Sequence, residues 1–375
     1  MRYFLSAGEA SGDLHAAALM QQLARLDTSA EFHFLGGDGM ASAASCEPLI
    51  HIRDMAFMGF SEVLRNLSKI RRNMSVARAS LGALRPDAVI LVDYPGFNLK
   101  LARYAHSLGL PVFYYIAPKV WAWKEWRVKS LRRYCTEILS ILPFETEFFA
   151  RHGMDVTYVG NPSVEEIDAR LCSMPPKHDM FESFGLDADR PLLALVPGSR
   201  VGEIRNNLPV MDAVARLHPQ VQPVICGTPG IPPDLYSSIS SLRVITGATM
   251  QLMALARAAL VTSGTATLEC ALAATPQVAC YRANGSRFSH ALFSHILKVP
   301  YVTLPNLIAG GPVIPEMLLH HCNPSEVGSR LTPLLDPESE VRRIQLQGYA
   351  TMRSRLGHTH AAATAAARIL HHLNP

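Results

Sequence analysis

The 375-residue chain is long enough for two ordinary domains, and its 49% hydrophobic content suffices for sizeable cores. A formal net charge of +4 is too small for a global field to select a polyanion, while a charged fraction of only 18% leaves apolar surface to expose. Seven scattered cysteines, none spaced as CxxC, argue for reduced thiols rather than disulfides or a structural zinc, and no apolar run reaches the length of a membrane span.

The chain opens on MRYFLSAGEASGD, which turns polar after five residues and does not read as a signal peptide. Strand-length apolar runs follow at Tyr3–Leu5, Phe32–Leu35, Ala88–Val92, Val112–Ile116, Glu137–Leu142 and Val156–Val159, with helical periodicity at Asp13–Arg25 and Glu62–Leu84. Several runs are continuous rather than alternating, as in strands buried on both faces of a parallel sheet. Polar Cys172–Pro191, with Pro175 and Pro176 adjacent, reads as a connection. The pattern then restarts with strands at Leu192–Val196, Pro223–Cys226, Arg243–Ile245, Ala259–Thr262 and Val278–Tyr281, and helices at Glu203–Leu217, Met250–Arg257 and Thr265–Ala274. The expected architecture is α/β, with two Rossmann-like doubly wound parallel-sheet domains facing a cleft. We place the first domain at 1-170, a linker at 171-190, the second domain at 191-350 and a C-terminal helix at 351-375. His358 and His360 in the tail lack an acidic partner and read as surface residues, not metal ligands.

No GxGxxG, GxxxxGK[ST] or GxSxG occurs, and LGGDGM at 35–40 is only a glycine-rich turn. The informative segments are strand-to-helix loops, where open α/β sheets bind their ligands. In SAGEASGDLHAA, Gly8 and Gly12 permit close backbone approach, and Glu9, Asp13 and His15 offer polar contacts; alternatively, Asp13 caps a helix and His15 is surface. Asp93, ending the strand of AVILVDYPGFN, is a candidate general base, or else a turn residue ahead of Pro95. In LLALVPGSRVGEI, a small-residue turn with Ser199 precedes Arg200, a combination suited to phosphate. In VTSGTATLECALA, Ser263, Gly264 and Thr265 open a helix with little bulk over its free N–H groups, a seat for an anion or simply a capped helix, and Glu269 could accept from a ribose.

All three tryptophans fall in KVWAWKEWRVKSLRR (Lys119–Arg133), where six of the fifteen residues are Lys or Arg. Aromatics among cations suit a membrane interface or stacked nucleic acid, with core burial as the alternative. The stripe Met58, Val63, Leu67, Ile70 and Met74, among Arg65, Lys69, Arg71 and Arg72, suits either acyl-chain contact or packing on the core.

In chain order, SAGEASGDLHAA, FMGFSEVL, DYPGFNLKLA, YYIAPKVWAW, LPFETEFF, VGNP, PGSRVGEI, TSGTATLE and LPNLIAG resemble the lipid-A-disaccharide synthase family of bacterial glycosyltransferases, which have the two-domain GT-B fold. PGSR with SGTATLE would fit several UDP-sugar enzymes, whereas SAGEASGD with APKVWAW is far more specific. The resemblance implies an inverting transfer of 2,3-diacylglucosamine from UDP to the 6-hydroxyl of 2,3-diacylglucosamine 1-phosphate (lipid X), giving the β-1,6-linked disaccharide 1-phosphate and UDP. It places Asp93 as the base, and Ser199, Arg200, Ser263, Gly264, Thr265, Glu269 and Asn306 on UDP. It assigns Gly8, Glu9, Ser11, Gly12, Asp13, Met58 and Glu62 to the acyl sugar, and Trp121, Trp123 and Trp126 to the membrane. No cofactor, metal or nucleic acid is implied. The expected setting is the cytoplasmic face of the Gram-negative inner membrane, with the C-terminal segment returning to the first domain or crossing to a partner in a homodimer. The chain departs from the family's usual residues at Tyr94, Gly96, Gly311 and Pro312. Competing readings are another UDP-sugar GT-B enzyme, an epimerase or lipid-sugar transferase, and a noncatalytic membrane-peripheral sugar-nucleotide binder.

Overall fold

A computed structural model describes residues 1–55, 66–282, 300–358 and 360–374. The chain divides into two compact units, Met1–Pro162 with His358–Pro375, and Ser163–Gly357. In the first, β1 (Arg2–Ala7), β2 (Glu31–Gly36), β3 (Ile50–His51), β4 (Ala88–Val92), β5 (Val112–Tyr115), β6 (Glu137–Ser140) and β7 (Thr157–Tyr158) form a parallel sheet in the order β3-β2-β1-β4-β5-β6-β7. In the second, β8 (Leu192–Val196), β9 (Gln222–Gly227), β10 (Arg243–Thr246), β11 (Ala258–Thr262), β12 (Gln277–Tyr281) and β13 (Glu316–Leu318) are parallel in the order β10-β9-β8-β11-β12-β13. Helices cover both faces of the first sheet, so β4 and β5 are buried at every position, as are β8 and β11 in the second. That double burial explains why these strands are continuous apolar runs. The edge strands β3, β7 and β13 have only two or three residues each, too few to show a period.

The unit boundaries differ from those drawn on the sequence. Residues 171-190 are not simply a linker, because helix Lys177–Ser183 forms there and buries Met180. Helix Pro162–Cys172 joins the second unit through Val164 and Ile167, and its Asp168 pairs with Arg353. Residue 351 falls inside helix Glu340–Leu356, which continues because Met352 and Leu356 are buried; Gly357, at φ 69°, ends it. The same helix is bound to β12 by Gln345, which accepts from Gln277 N–H at 2.8 Å and donates back to Gln277 O at 3.0 Å. After that break, helix Ala361–Leu373 packs in the first unit. Its Ala365, Ala366 and Ile369 share a core with Leu19, Met20 and Leu23 of helix Ala10–Leu26, the alanines allowing close approach. Arg368 secures it to Glu137 at 2.8 Å.

Candidate active site

In each sheet the connections run in opposite directions from the first strand, so the switch points lie between β1 and β4 and between β8 and β11. The loops that leave these four strands are SAGEASGD, DYPGFN, PGSR and SGTATLE.

Asp93 and Tyr94 stand immediately after β4, both left-handed, at φ 45° and 46°. Such backbone costs about 1–3 kcal/mol per non-glycine residue and persists only where its surroundings hold it. Here Asn98 and Tyr114 do so. The Asn98 amide donates to the carbonyls of Asp93 (2.9 Å), Val92 (3.2 Å) and Ser6 (3.2 Å), and its oxygen accepts from the Ser6 hydroxyl at 2.7 Å. The Tyr114 hydroxyl donates to the Asp93 carbonyl at 2.6 Å. Tyr94 in turn donates to Met55 O at 2.7 Å and lays its ring over Gly8, where a Cβ would lie 2.2 Å from the ring. The Asp93 carboxyl is half-buried. Burial and then the Glu9 carboxylate raise its pKa, Lys119 and the Tyr94 N–H oppose them, and the net direction is upward.

The loop after β1 divides by role. Half-buried Glu9 precedes helix Ala10–Leu26 and supplies charge beside Asp93, and Ser11 is exposed. Gly12 is buried, with space for a Cβ only at 3.5 Å from Ala7. Asp13, expected at the acyl sugar, is already engaged: its buried carboxylate accepts from the N–H groups of Gly37 (2.6 Å), Gly39 (2.9 Å) and Met40 (3.2 Å). It therefore caps helix Asp38–Ala44, and the LGGDGM turn is glycine-rich so that backbone can reach this carboxylate. Met58, Glu62 and Val63 lie outside the described residues.

The three tryptophans separate. Trp121 is only 7% exposed, donates to Glu145 at 2.9 Å and meets Phe144 edge-on at 5.1 Å, so it is an anchor and not a membrane contact. A buried indole needs an acceptor, and this carboxylate is one. Trp123 and Trp126 are 50% and 65% exposed, with Lys124 4.0 Å from the Trp123 ring and Arg127 5.6 Å from that of Trp126. Glu145 also accepts from the Ser140 hydroxyl, and full burial raises its pKa to about 7.

In the second unit, Gly198 has φ 122° and a Cβ there would approach Glu203 to 2.6 Å, so glycine is required. Glu203, three residues into helix Val201–Arg216, reaches back to accept from Ser199 N–H at 3.0 Å and Arg200 at 3.3 Å. The Arg200 side chain is nonetheless 66% exposed. Helix Thr265–Leu272 has no side-chain cap, and the N–H groups of Gly264, Thr265 and Ala266 have no acceptor among the described residues. Ser263 donates its own N–H to Cys280 O at 3.1 Å. Half-buried Glu269 has its pKa raised by burial and by Glu166, against Arg170. Asn306 is a correction. Its amide donates to Ile314 O and Glu316, and its oxygen accepts from Val313 and Ile314 N–H, all at 2.8–3.0 Å. Two donors and two lone pairs are thereby used, so the side chain shapes the loop and leaves none of them for a nucleotide.

Two matching asparagines outside the expected site residues hold the strand-end loops. Asn207 plays in the second unit the part of Asn98 in the first, joining Pro197 O (3.4 Å), the Thr262 hydroxyl (3.1 Å) and Arg282 N–H (2.8 Å) at three strand ends. Each interrupts an otherwise apolar buried stripe, Phe97-Asn98-Leu101-Ala102-Ala105 and Ile204-Asn207-Leu208-Met211, which was a visible signal. Among the described residues no group of three or more His, Cys, Asp or Glu side chains is placed to hold a metal, and no helix is long and apolar enough to cross a membrane.

The family model for lipid-A-disaccharide synthetase matches residues 3–369. Lipid-A-disaccharide synthase of Myxococcus xanthus is 38% identical over 384 residues, covering 100% of this chain and 98% of the relative. That of Syntrophus aciditrophicus is 35% identical over 377 residues, covering 97% and 96%. The chain belongs to the lipid-A-disaccharide synthase family. It is a glycosyltransferase of lipid A biosynthesis. Solved structures agree on the fold: UDP-GlcNAc 2-epimerase from Neisseria meningitidis bound to UDP-GlcNAc superposes with a TM-score of 0.67 at 12% identity, covering 100% of both chains. The calicheamicin glycosyltransferase CalG4 does so at 0.60 and 17%, covering 100% of this chain and 98% of that one. The two parallel-sheet α/β units of this synthase-family chain are those of the GT-B class.

Proposed function

We propose that the chain joins UDP-2,3-diacylglucosamine to the 6-hydroxyl of 2,3-diacylglucosamine 1-phosphate with inversion, forming the β-1,6-linked disaccharide 1-phosphate and releasing UDP. The observation that carries this reading is Asp93: a half-buried carboxylate with a raised pKa, held by a clamped left-handed turn at a sheet switch point. Asp93 takes the acceptor proton as the 6-oxygen attacks the anomeric carbon, and the bond from that carbon to the diphosphate breaks on the opposite side. Negative charge then grows on the leaving UDP. Arg200, the Ser199 hydroxyl and the uncapped N–H groups at Gly264 and Thr265 are suited to receive it, and Glu269 to accept from the ribose. Glu9 and Ser11 border the acceptor sugar, in a loop that also raises the Asp93 pKa through Glu9, while Gly8 lies beneath the Tyr94 ring and backs that loop.

Exposed Trp123 and Trp126, each beside a cation, support a peripheral seat on the inner membrane, where both substrates are dissolved. The deciding experiment is UDP release from the acylated donor with and without acceptor. Release that requires both acylated sugars supports the reading; release from the donor alone, or equal use of unacylated UDP-glucosamine, overturns it.

Two smaller effects follow. Arg200→Ala is expected to weaken UDP binding about tenfold, as the loss of a charge-assisted contact does; equal affinity in a calorimetric titration removes Arg200 from the phosphate role. Replacing Trp123 and Trp126 together by Ser is expected to reduce co-sedimentation with anionic vesicles while leaving the melting temperature unchanged. Trp121→Ser, by contrast, is expected to lower the melting temperature.

A further inference from the structure

A cavity of about 300 Å³ lies in the first unit between helices Leu67–Leu84 and Pro95–Ser107. Its walls have two characters. Ile70, Met74 and Phe97 are apolar, whereas Arg71, Arg78 and Lys100 bring three cations to one small opening. None of the three has an ion-pair partner among the described residues; Arg78 rests on the Tyr104 ring at 5.3 Å. Three like charges around a concavity repel one another, and an anion removes that repulsion. Gly96 and Phe97 belong to the first turn of helix Pro95–Ser107, so the positive end of its dipole adds to the same field, and the Gly96 N–H has no acceptor among the described residues. A Cβ on Gly96 would meet nothing within 4 Å. Gly96 is three residues from Asp93, so at no more than about 3.8 Å per residue their Cα atoms lie within about 11 Å of each other, which brings the cavity rim near the base.

We propose that this cavity receives the phosphomonoester of the acylated acceptor sugar, with Arg71, Arg78 and Lys100 as its anion contacts and the Ile70–Met74–Phe97 wall against the start of an acyl chain. The proposal rests on the disaccharide-forming reading above and gives the acceptor an orientation: phosphate held by the cations, 6-hydroxyl toward Asp93. A phosphomonoester carries between one and two negative charges near neutral pH and outcompetes a neutral sugar end for such a site. The same cations could instead meet the phosphates of bilayer lipids, and the experiment separates these sources.

UDP release is measured on the full chain with varied acceptor at saturating donor, for wild type, Arg71→Ala/Lys100→Ala and Gly96→Leu. The double variant is expected to raise the acceptor KM about tenfold, with the donor KM unchanged. Against 2,3-diacylglucosamine lacking the 1-phosphate, wild type and variant are expected to be equal. Gly96→Leu, whose Cβ meets nothing within 4 Å and which adds apolar bulk at the cavity wall, is expected to raise the acceptor KM while keeping UDP affinity and melting temperature. An unchanged acceptor KM in both variants overturns the proposal, as does an equal penalty on both acceptors. Weakened binding to phosphatidylglycerol vesicles with the acceptor KM intact also overturns it, assigning the cations to the bilayer. A wild type that makes no disaccharide refutes the functional reading itself, whereas an active wild type with indifferent variants refutes the cavity alone.

Discussion

Asp93→Asn is expected to lower kcat by about 10²–10⁴-fold, the usual contribution of a positioned base, while UDP affinity and melting temperature stay as in the wild type. The geometry makes this a clean substitution. Asn98 and Tyr114 hold the Asp93 backbone carbonyl, not its side chain, so the left-handed turn survives when the carboxylate becomes an amide. The fully buried Tyr114 keeps its proton, its pKa raised well above 10.0 by burial and by Asp93, and remains a donor throughout. The pH profile offers a second reading. A base must be ionised, so activity is lost as pH falls through the Asp93 pKa. Burial and Glu9 place that limb above the ordinary carboxyl value of 3.8. Asp93→Asn removes the limb along with the rate. Unchanged turnover would assign the proton to another group.

Glu145→Gln is expected to stabilise the protein at pH 8 by about 3 kcal/mol and to change little at pH 4, from about 1.4 kcal/mol per unit of pKa difference. Burial lifts Glu145 from 4.5 to about 7, overcoming the Ser140 and Trp121 hydrogen bonds and the pull of surface Lys119. A carboxyl whose folded pKa is raised contributes its full stability below the unfolded value and loses it as pH rises through the folded one. The loss therefore falls between about 4.5 and about 7. A glutamine avoids it: its oxygen accepts from Trp121, its amide donates to the Ser140 hydroxyl, and that hydroxyl donates to Leu142 O, 3.1 Å away. Thermal unfolding of both proteins at pH 4 and pH 8 measures the difference. A variant less stable than wild type at pH 8 would mean that the ionised carboxylate is worth keeping there. Because Trp121 and Glu145 anchor the segment carrying Trp123 and Trp126, the wild-type hold on that segment is expected to weaken over the same range.

The sequence by itself determined the architecture and the loops that matter. Strands covered on both faces are nearly continuous apolar runs, so β4, β5, β8 and β11 could be read directly, and the residues after β1, β4, β8 and β11 stood out because polar and glycine residues end each run. It could not show which polar groups were already engaged. Asp13, Asn306 and Trp121 look like ligand contacts in the chain, and each proves to be satisfied by partners 24 or more residues away or by a neighbouring loop. Asn98 and Asn207 were passed over because each ties its own loop to a strand end far off in sequence, Ser6 and Thr262 respectively. Periodicity reports how a residue is buried. Hydrogen-bond saturation depends on which distant backbone atoms folding brings within about 3 Å, and only the tertiary structure decides that.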